Sequence, residues 1–439
     1  MKKLIMLLVI VITTAWLAPA AQAGVAEDLD EAYELRLAAA ACLAAYSDRM
    51  GLLARDYLHQ SGWEIIPFKK SSREADARFL LARNMTEKGK SRYVLAVVGT
   101  ETLKDFRVDL RTDKVYFAGR TPDEFAASAK LEDIPETEPK VHRGFHEYVQ
   151  TAFAARTDGE GEAHDRALGE LLADPAGELL IVGHSLGGAA ATIAGARLLS
   201  MGIRPEQIGV ITFGAPAVGN EAFSRQFSPK LDLTRVVIAG DPVTGILQKL
   251  VGGYRQFGRE LVWQRSALFE KGPHAMTEYL DLAMKNYYDR RAAAVKAGIL
   301  SSPQPGSPGT GPRIYVAPPV DYLPDELKTE YRYMEQVLAD QYRRQLPGYV
   351  PGGAADTPAG GAVAAGGGYY VVAEISGFKM KNERNQYFVT LHHTVYDAAG
   401  KAVYINSYAS VTANMTPLEA LAHDSVGAVA DLAAWLSGR

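Results

Sequence analysis

Glu178 Leu179 Leu180 Ile181 Val182 Gly183 His184 Ser185 Leu186 Gly187 Gly188 is a β-forming run that breaks, within one turn, into the start of a helix. Ala189 to Leu199 carries helix-forming residues and is closed by Gly202. A strand that turns at once into a helix forces the residue between them into strained backbone geometry with its side chain projecting. The two elements also approach too closely for a Cβ beside the turn, which is why glycines flank it. Ser185 is therefore a candidate nucleophile, and Gly183, His184 and Gly187 complete the elbow that presents it. The alternative is a structural glycine-rich helix start, and the lysine that a phosphate-binding loop needs does not follow.

A serine hydroxyl is a poor nucleophile at neutral pH, so an imidazole must take its proton and a carboxylate must orient the imidazole. Where this elbow occurs in α/β hydrolases, the chain order is Ser, then Asp or Glu, then His. The histidines after Ser185 are His274, His392, His393 and His423. The last three lie beyond two Pro/Gly-rich stretches, which leaves His274 as the candidate base. Asp241 follows the apolar run Val236 Val237 Ile238, at the carboxyl end of a predicted strand, where parallel sheets gather their active sites. It is the candidate acid, with Glu260 and Glu270 as competitors. Asp241 before Pro242 also reads as a turn aspartate, and His274 after Pro273 as a plain loop histidine.

Working outward, 439 residues leave room for one large domain and a smaller module, and 47% hydrophobic with 22% charged residues is globular composition. A net charge of −4 argues against a nucleic-acid partner. Cys42 stands alone, so neither an intrachain disulfide nor a cysteine metal cluster can form. Lys2 and Lys3 precede an apolar run from Leu4 to about Ala18, and Ala21 Gln22 Ala23 gives the small-x-small site that completes the pattern of a cleavable signal peptide over residues 1–23. Export to the periplasm or medium is expected. Residues 24–300 alternate helical patterns with short β runs, an α/β domain with a mostly parallel sheet. Residues 301–312 have linker composition, and residues 313–439 read as a smaller α+β module with a Gly/Ala/Pro-rich insertion at 351–368. In that module the strands alternate, and Asp397 Ala398 Ala399 Gly400 is a hairpin-like turn.

The motifs around the elbow resemble the class 3 lipases, the fungal triacylglycerol lipase-like branch of the α/β hydrolases. Phe213 Gly214 Ala215 Pro216 Ala217 Val218 Gly219 Asn220 is similar to that family's FGxPxVGN segment, and Val141 His142 Arg143 Gly144 Phe145 to its VHxGF segment. Tyr93 to Thr100 resembles the strand ending in Gly-Thr, while Asp241 Pro242 Val243 and His274 with Tyr279 resemble the acid and base segments. The resemblance covers roughly residues 35–285. It implies Ser185 as nucleophile, His274 as base and acid, and Asp241 as orienting carboxylate. It further implies an oxyanion hole from the backbone N–H groups of Leu186 and Thr100, and a lid at residues 101–110. Val98, Ala217 and Gln256 depart from the family's common Arg, Arg and His.

The resulting expectation is an exported serine esterase or lipase that cleaves acylglycerols or phospholipids through an acyl-enzyme, without a cofactor. The rival is a catalytically idle hydrolase scaffold that presents a C-terminal module to a membrane surface or envelope partner. His142 and His146 lack a third ligand for a metal. Adjacent His392 and His393 on a strand point to opposite faces, so they cannot chelate one ion. The charged helix at residues 325–344 reads as a solvated face.

Overall fold

The computed structural model describes residues 2–46, 49–67, 79–85, 91–98, 113–158, 164–167, 177–250, 252–265, 268, 272–301, 314–352, 368–381, 386–413 and 415–438. The chain divides into two compact units, one of Glu34–Ser266 with Lys271–Leu280, the other of Met1–Tyr33, Ala267–Glu270 and Asp281–Arg439.

The first unit is built on a seven-stranded sheet in the order Glu64–Ile66, Phe79–Met85, Ser91–Val97, Glu178–His184, Ile208–Phe213, Asp232–Ile238, Arg259–Trp263. The first three strands pair antiparallel, and from Ser91–Val97 onward every neighbour is parallel. The sheet is mostly parallel, as the sequence predicts. Strand Glu178–His184 lies at its centre and is buried from Leu179 on, which is why its residues are continuously apolar rather than alternating. The helix that follows, Leu186–Ser200, is buried from Gly187 to Leu198. It packs against helix Arg143–Ala154, whose Phe145, Val149, Ala152 and Phe153 recur at helical spacing. Asn220 ties the motif region together: its Oδ1 accepts from the N–H groups of Phe223 and Lys140, and its Nδ2 donates to the carbonyls of Glu136 and Glu138.

In the second unit, long antiparallel strands Tyr369–Lys379, Tyr387–Tyr396 and Ala402–Val411 form the sheet. Short strands Ile314–Val316 and Val320–Tyr322 share one edge of Tyr369–Lys379, and Tyr349–Pro351 adds to Ile314–Val316. Val371, Ala373 and Ile375 are fully buried, while Val372, Glu374 and Ser376 on the other face are half-buried. The final helix, Pro417–Ser437, starts with a capping box between Thr416 and Glu419 and buries Leu418, Leu421, Val429 and Leu432.

Two findings differ from the sequence expectation. The charged helix, Lys328–Gln345, is not a solvated face: Glu330 and Asp340 are buried. Lys285 binds both Asp281 and Glu330, and Arg291 and Tyr288 bind Asp340. Those same bonds place helix Met276–Lys296 from Asp281 onward with the second unit, so the division falls upstream of residues 301–312. From 302 to 312 that linker lies outside the described residues, as does most of the insertion at 351–368.

Three buried histidines make the fold sensitive to acid. His142 accepts from the Phe145 N–H at 3.5 Å and starts helix Arg143–Ala154, and His146 lies beside the buried Arg197. His393 accepts from the Tyr342 hydroxyl at 2.7 Å and donates to Asn406 Oδ1 at 3.0 Å. Burial lowers the pKa of each to about 4 from 6.5. Between about pH 6.5 and 4 the unfolded chain therefore binds more protons than the folded one, and stability is lost as pH falls through that window. The urea midpoint should drop steadily from pH 7 to pH 4.5, and a flat profile would show that these imidazoles are not held neutral.

Candidate active site

Ser185 sits at φ 59° and ψ −127°, a region that side chains other than glycine rarely adopt. Its N–H donates to the Phe213 carbonyl at 2.9 Å, which extends the central ladder by one rung and holds the strained residue in place. At Gly183 a Cβ would overlap the backbone of Gly187, and at Gly188 it would lie 2.7 Å from Ala215 Cβ. On the helix side, crowding thus falls on Gly188 as well as on the Gly187 turn that Gly183 abuts.

Asp241 lies just beyond strand Asp232–Ile238, where its N–H donates to the Ile238 carbonyl and Gly240 takes φ 87°. The buried carboxylate accepts from the Val243 N–H at 2.9 Å, the Tyr279 hydroxyl at 2.7 Å and His274 Nδ1 at 2.9 Å. A carboxylate only accepts, so Nδ1 of His274 carries the proton and Nε2 presents its lone pair. Nε2 lies 2.8 Å from Ser185 Oγ. The structure thus brings Ser185, His274 and Asp241 into one hydrogen-bonded line drawn from three separate loops. Glu260 is elsewhere, ion-paired to Arg235 at 2.7 Å, and Glu270 lies outside the described residues.

Side chains beyond the named set support this line. Tyr279 is fully buried, and its hydroxyl accepts from the Ile238 N–H at 3.1 Å while donating to Asp241. Burial, reinforced by the Asp241 charge, holds its pKa well above the ordinary value, so it stays a donor. Gln256, one of the departures from the family pattern, donates to the carbonyls of Ala215 and Thr244. Tyr148 donates to the Val98 carbonyl at 3.2 Å, at the end of the strand that leads to Gly99 and Thr100. Thr100 and residues 101–110 lie outside the described residues. The other expected oxyanion donor, Leu186, begins the helix, where backbone N–H groups point away from the helix toward an incoming anion.

Residues 94–250 match the family described as Lipase (class 3). Over that segment the chain is similar to the class 3 lipases. Within the matched segment lie the elbow, the Phe213–Asn220 motif and Asp241, whereas His274 falls just downstream. A lipase of Caenorhabditis elegans is 44% identical over 68 residues, 15% of this chain and 19% of the relative. A secreted mono- and diacylglycerol lipase of Fusarium solani is 35% identical over 88 residues, 20% of this chain and 26% of the relative. The chain therefore spans only about a fifth to a quarter of the length of these curated relatives. Among solved structures, a lipase of Rhizopus microsporus var. chinensis superposes with a TM-score of 0.39 at 22% identity, covering 53% of this chain and 74% of that one.

Gly214 gives this site its sharpest steric test. It takes φ 59°, and a Cβ there would lie 2.5 Å from Asp241 Oδ2 and 3.0 Å from both His274 Nδ1 and the Tyr279 hydroxyl. Gly214→Ala should displace the acid and the base together, lowering kcat by at least about 100-fold, since a misplacement near 1 Å is that costly. The strained φ should also lower unfolding stability by about 1–3 kcal/mol. Steady-state hydrolysis and urea unfolding check both numbers, and a variant with wild-type rate would show that the acid and base are not confined this way.

Proposed function

We propose that this chain is a serine carboxylic ester hydrolase acting on acylglycerols through an acyl-enzyme. The single observation that carries the proposal is the line from Asp241 through His274 to Ser185, with contacts of 2.9 Å and 2.8 Å. Ser185 Oγ attacks the ester carbonyl carbon as its proton passes to His274 Nε2. Asp241 stabilises the imidazolium without taking its proton. Charge develops on the carbonyl oxygen, where the Leu186 N–H donates to it, and one such donor is worth about 3 kcal/mol. The tetrahedral intermediate collapses when His274 returns the proton to the leaving alcohol. Water then repeats the sequence and frees the acid. The name of the Fusarium relative supports a glyceride substrate, and no element of the reaction calls for a metal or cofactor.

Turnover of p-nitrophenyl esters, mono-, di- and triacylglycerols and phospholipid vesicles by the wild-type protein beside Ser185→Ala tests the proposal. Glyceride turnover lost in the variant supports it; turnover confined to phospholipid would make the enzyme a phospholipase A. A wild type that neither turns over any ester nor reacts with a fluorophosphonate probe would support the idle-scaffold alternative. We further infer that the chain is exported after cleavage behind Ala23, supported by Lys2, Lys3 and the apolar run that follows. N-terminal sequencing of protein recovered outside the cytoplasm should then begin at Gly24. The C-terminal unit is assigned to holding the enzyme at a membrane surface or envelope partner, supported by the linker composition of residues 301–312 and 351–368 that would tether it. Failure of the full chain to co-sediment with lipid vesicles would remove the membrane part of that assignment.

A further inference from the structure

His274 stands in the short connection before helix Met276–Lys296, so Asp241 can aim its ring only if its backbone is also held. The residue that holds it is His184, immediately before the nucleophile. His184 Nε2 lies 2.8 Å from the carbonyl oxygen of His274, and the two rings lie with centroids 4.7 Å apart. The far side of the same ring, Nδ1, lies 2.9 Å from the hydroxyl of Tyr46, just past the end of helix Lys2–Ala44. A carbonyl only accepts, which fixes the proton of His184 on Nε2 and leaves Nδ1 as a lone pair. The Tyr46 hydroxyl must then be the donor.

We propose that Tyr46 is a positioning residue: its hydroxyl locks His184 in the Nε2–H tautomer, and that N–H pins the backbone of the catalytic base against the nucleophile elbow. The inference rests on the serine hydrolase reading of the site. His184 is anchored at its own backbone by pairing with Phe213, so the pin has a fixed end. Tyr46 is similarly backed, because a Cβ at Gly51 would overlap the Tyr46 carbonyl. His184 is buried, and burial, followed by the proximity of His274, holds its pKa well below the ordinary value. It therefore stays neutral when His274 becomes an imidazolium, and the tautomer rather than the charge is what needs fixing. Without the hydroxyl, Nδ1 is a buried acceptor without its donor, and shifting the proton to Nδ1 would break the bond to His274.

The test uses the full chain with Tyr46→Phe, which removes one oxygen, and with His184→Gln, whose amide keeps a donor for the carbonyl. Nitrogen NMR of the histidine rings reports the tautomer without any substrate. In the wild type, His184 should show a single Nε2–H form, and in Tyr46→Phe a mixture of both. For a short soluble p-nitrophenyl ester, Tyr46→Phe should lower kcat about tenfold with KM within about twofold, as expected for one buried polar group left unpaired. His184→Gln should recover part of the rate that His184→Ala loses. A Tyr46→Phe protein with wild-type kcat and an unchanged tautomer overturns the proposal while leaving the site reading intact. Ester hydrolysis equal in wild type and Ser185→Ala overturns the site reading itself, and the relay with it.

Discussion

Ser185→Ala should lower kcat for ester hydrolysis by at least about 10⁴-fold, because nucleophile, base and acid act as a unit and loss of the first leaves only binding and the oxyanion donor. The rate is one half of the expectation. Ser185 holds φ 59° and ψ −127°, and alanine would carry the same backbone strain of about 1–3 kcal/mol. Ser185→Gly should be equally inactive yet more stable than Ser185→Ala, since glycine relieves that strain and gives back only about 0.5–1 kcal/mol through its freer unfolded chain. Thermal unfolding of the two variants, measured beside p-nitrophenyl ester hydrolysis, checks both halves. Activity in either variant above a few per cent would remove Ser185 from the mechanism. Equal stability of the two would show that the elbow is not strained by its side chain.

The elbow is legible in the sequence because its cause is local: an apolar central strand, a turn too tight for Cβ atoms and a buried helix all leave their mark within twenty-five residues. Asp241 and His274 are legible for a different reason, since chain order and the ends of predicted strands leave few carboxylates and imidazoles to choose from. The C-terminal strands show through their alternation, as where buried Val371, Ala373 and Ile375 interleave with half-buried Val372, Glu374 and Ser376. Tyr46 has no such signal. Nothing near it in sequence distinguishes its hydroxyl from that of any tyrosine at a helix end, and its significance arises only where the chain returns at His184, 138 residues later. The charged helix misleads for a related reason. Lys285, Glu330, Arg291 and Asp340 each look like surface residues, and only pairing across two helices explains why Glu330 and Asp340 are buried and Lys285 and Arg291 half-buried. That pairing also moves the unit division away from the proline-rich stretch, where composition alone would put it.

Asp241→Asn is the other change expected to reach about 10⁴-fold in kcat, and it should do so with the fold intact. The carboxylate is surrounded by donors: the Val243 N–H on Oδ1, the Tyr279 hydroxyl on Oδ2 and His274 Nδ1 within reach of both. An asparagine side chain has the same shape but brings an NH₂ group, and in either orientation that group faces a donor. Placed at Oδ1 it opposes the Val243 N–H, which cannot rotate away. Placed at Oδ2 it meets Tyr279, whose hydroxyl already accepts from the Ile238 N–H. His274 can accommodate the amide only by giving up its Nδ1 proton and accepting from it. The ring then carries its proton on Nε2, facing Ser185 Oγ, and no lone pair remains to take the serine proton. The loss should therefore appear in kcat rather than KM, and nitrogen NMR should show His274 changing tautomer. Glu260→Gln, which disturbs only the pair with Arg235 outside this line, should keep kcat within about twofold, since a partly exposed ion pair contributes about 1 kcal/mol or less. If Glu260→Gln were the damaging change and Asp241→Asn the mild one, the carboxylate that orients His274 during turnover would not be the one it touches at rest.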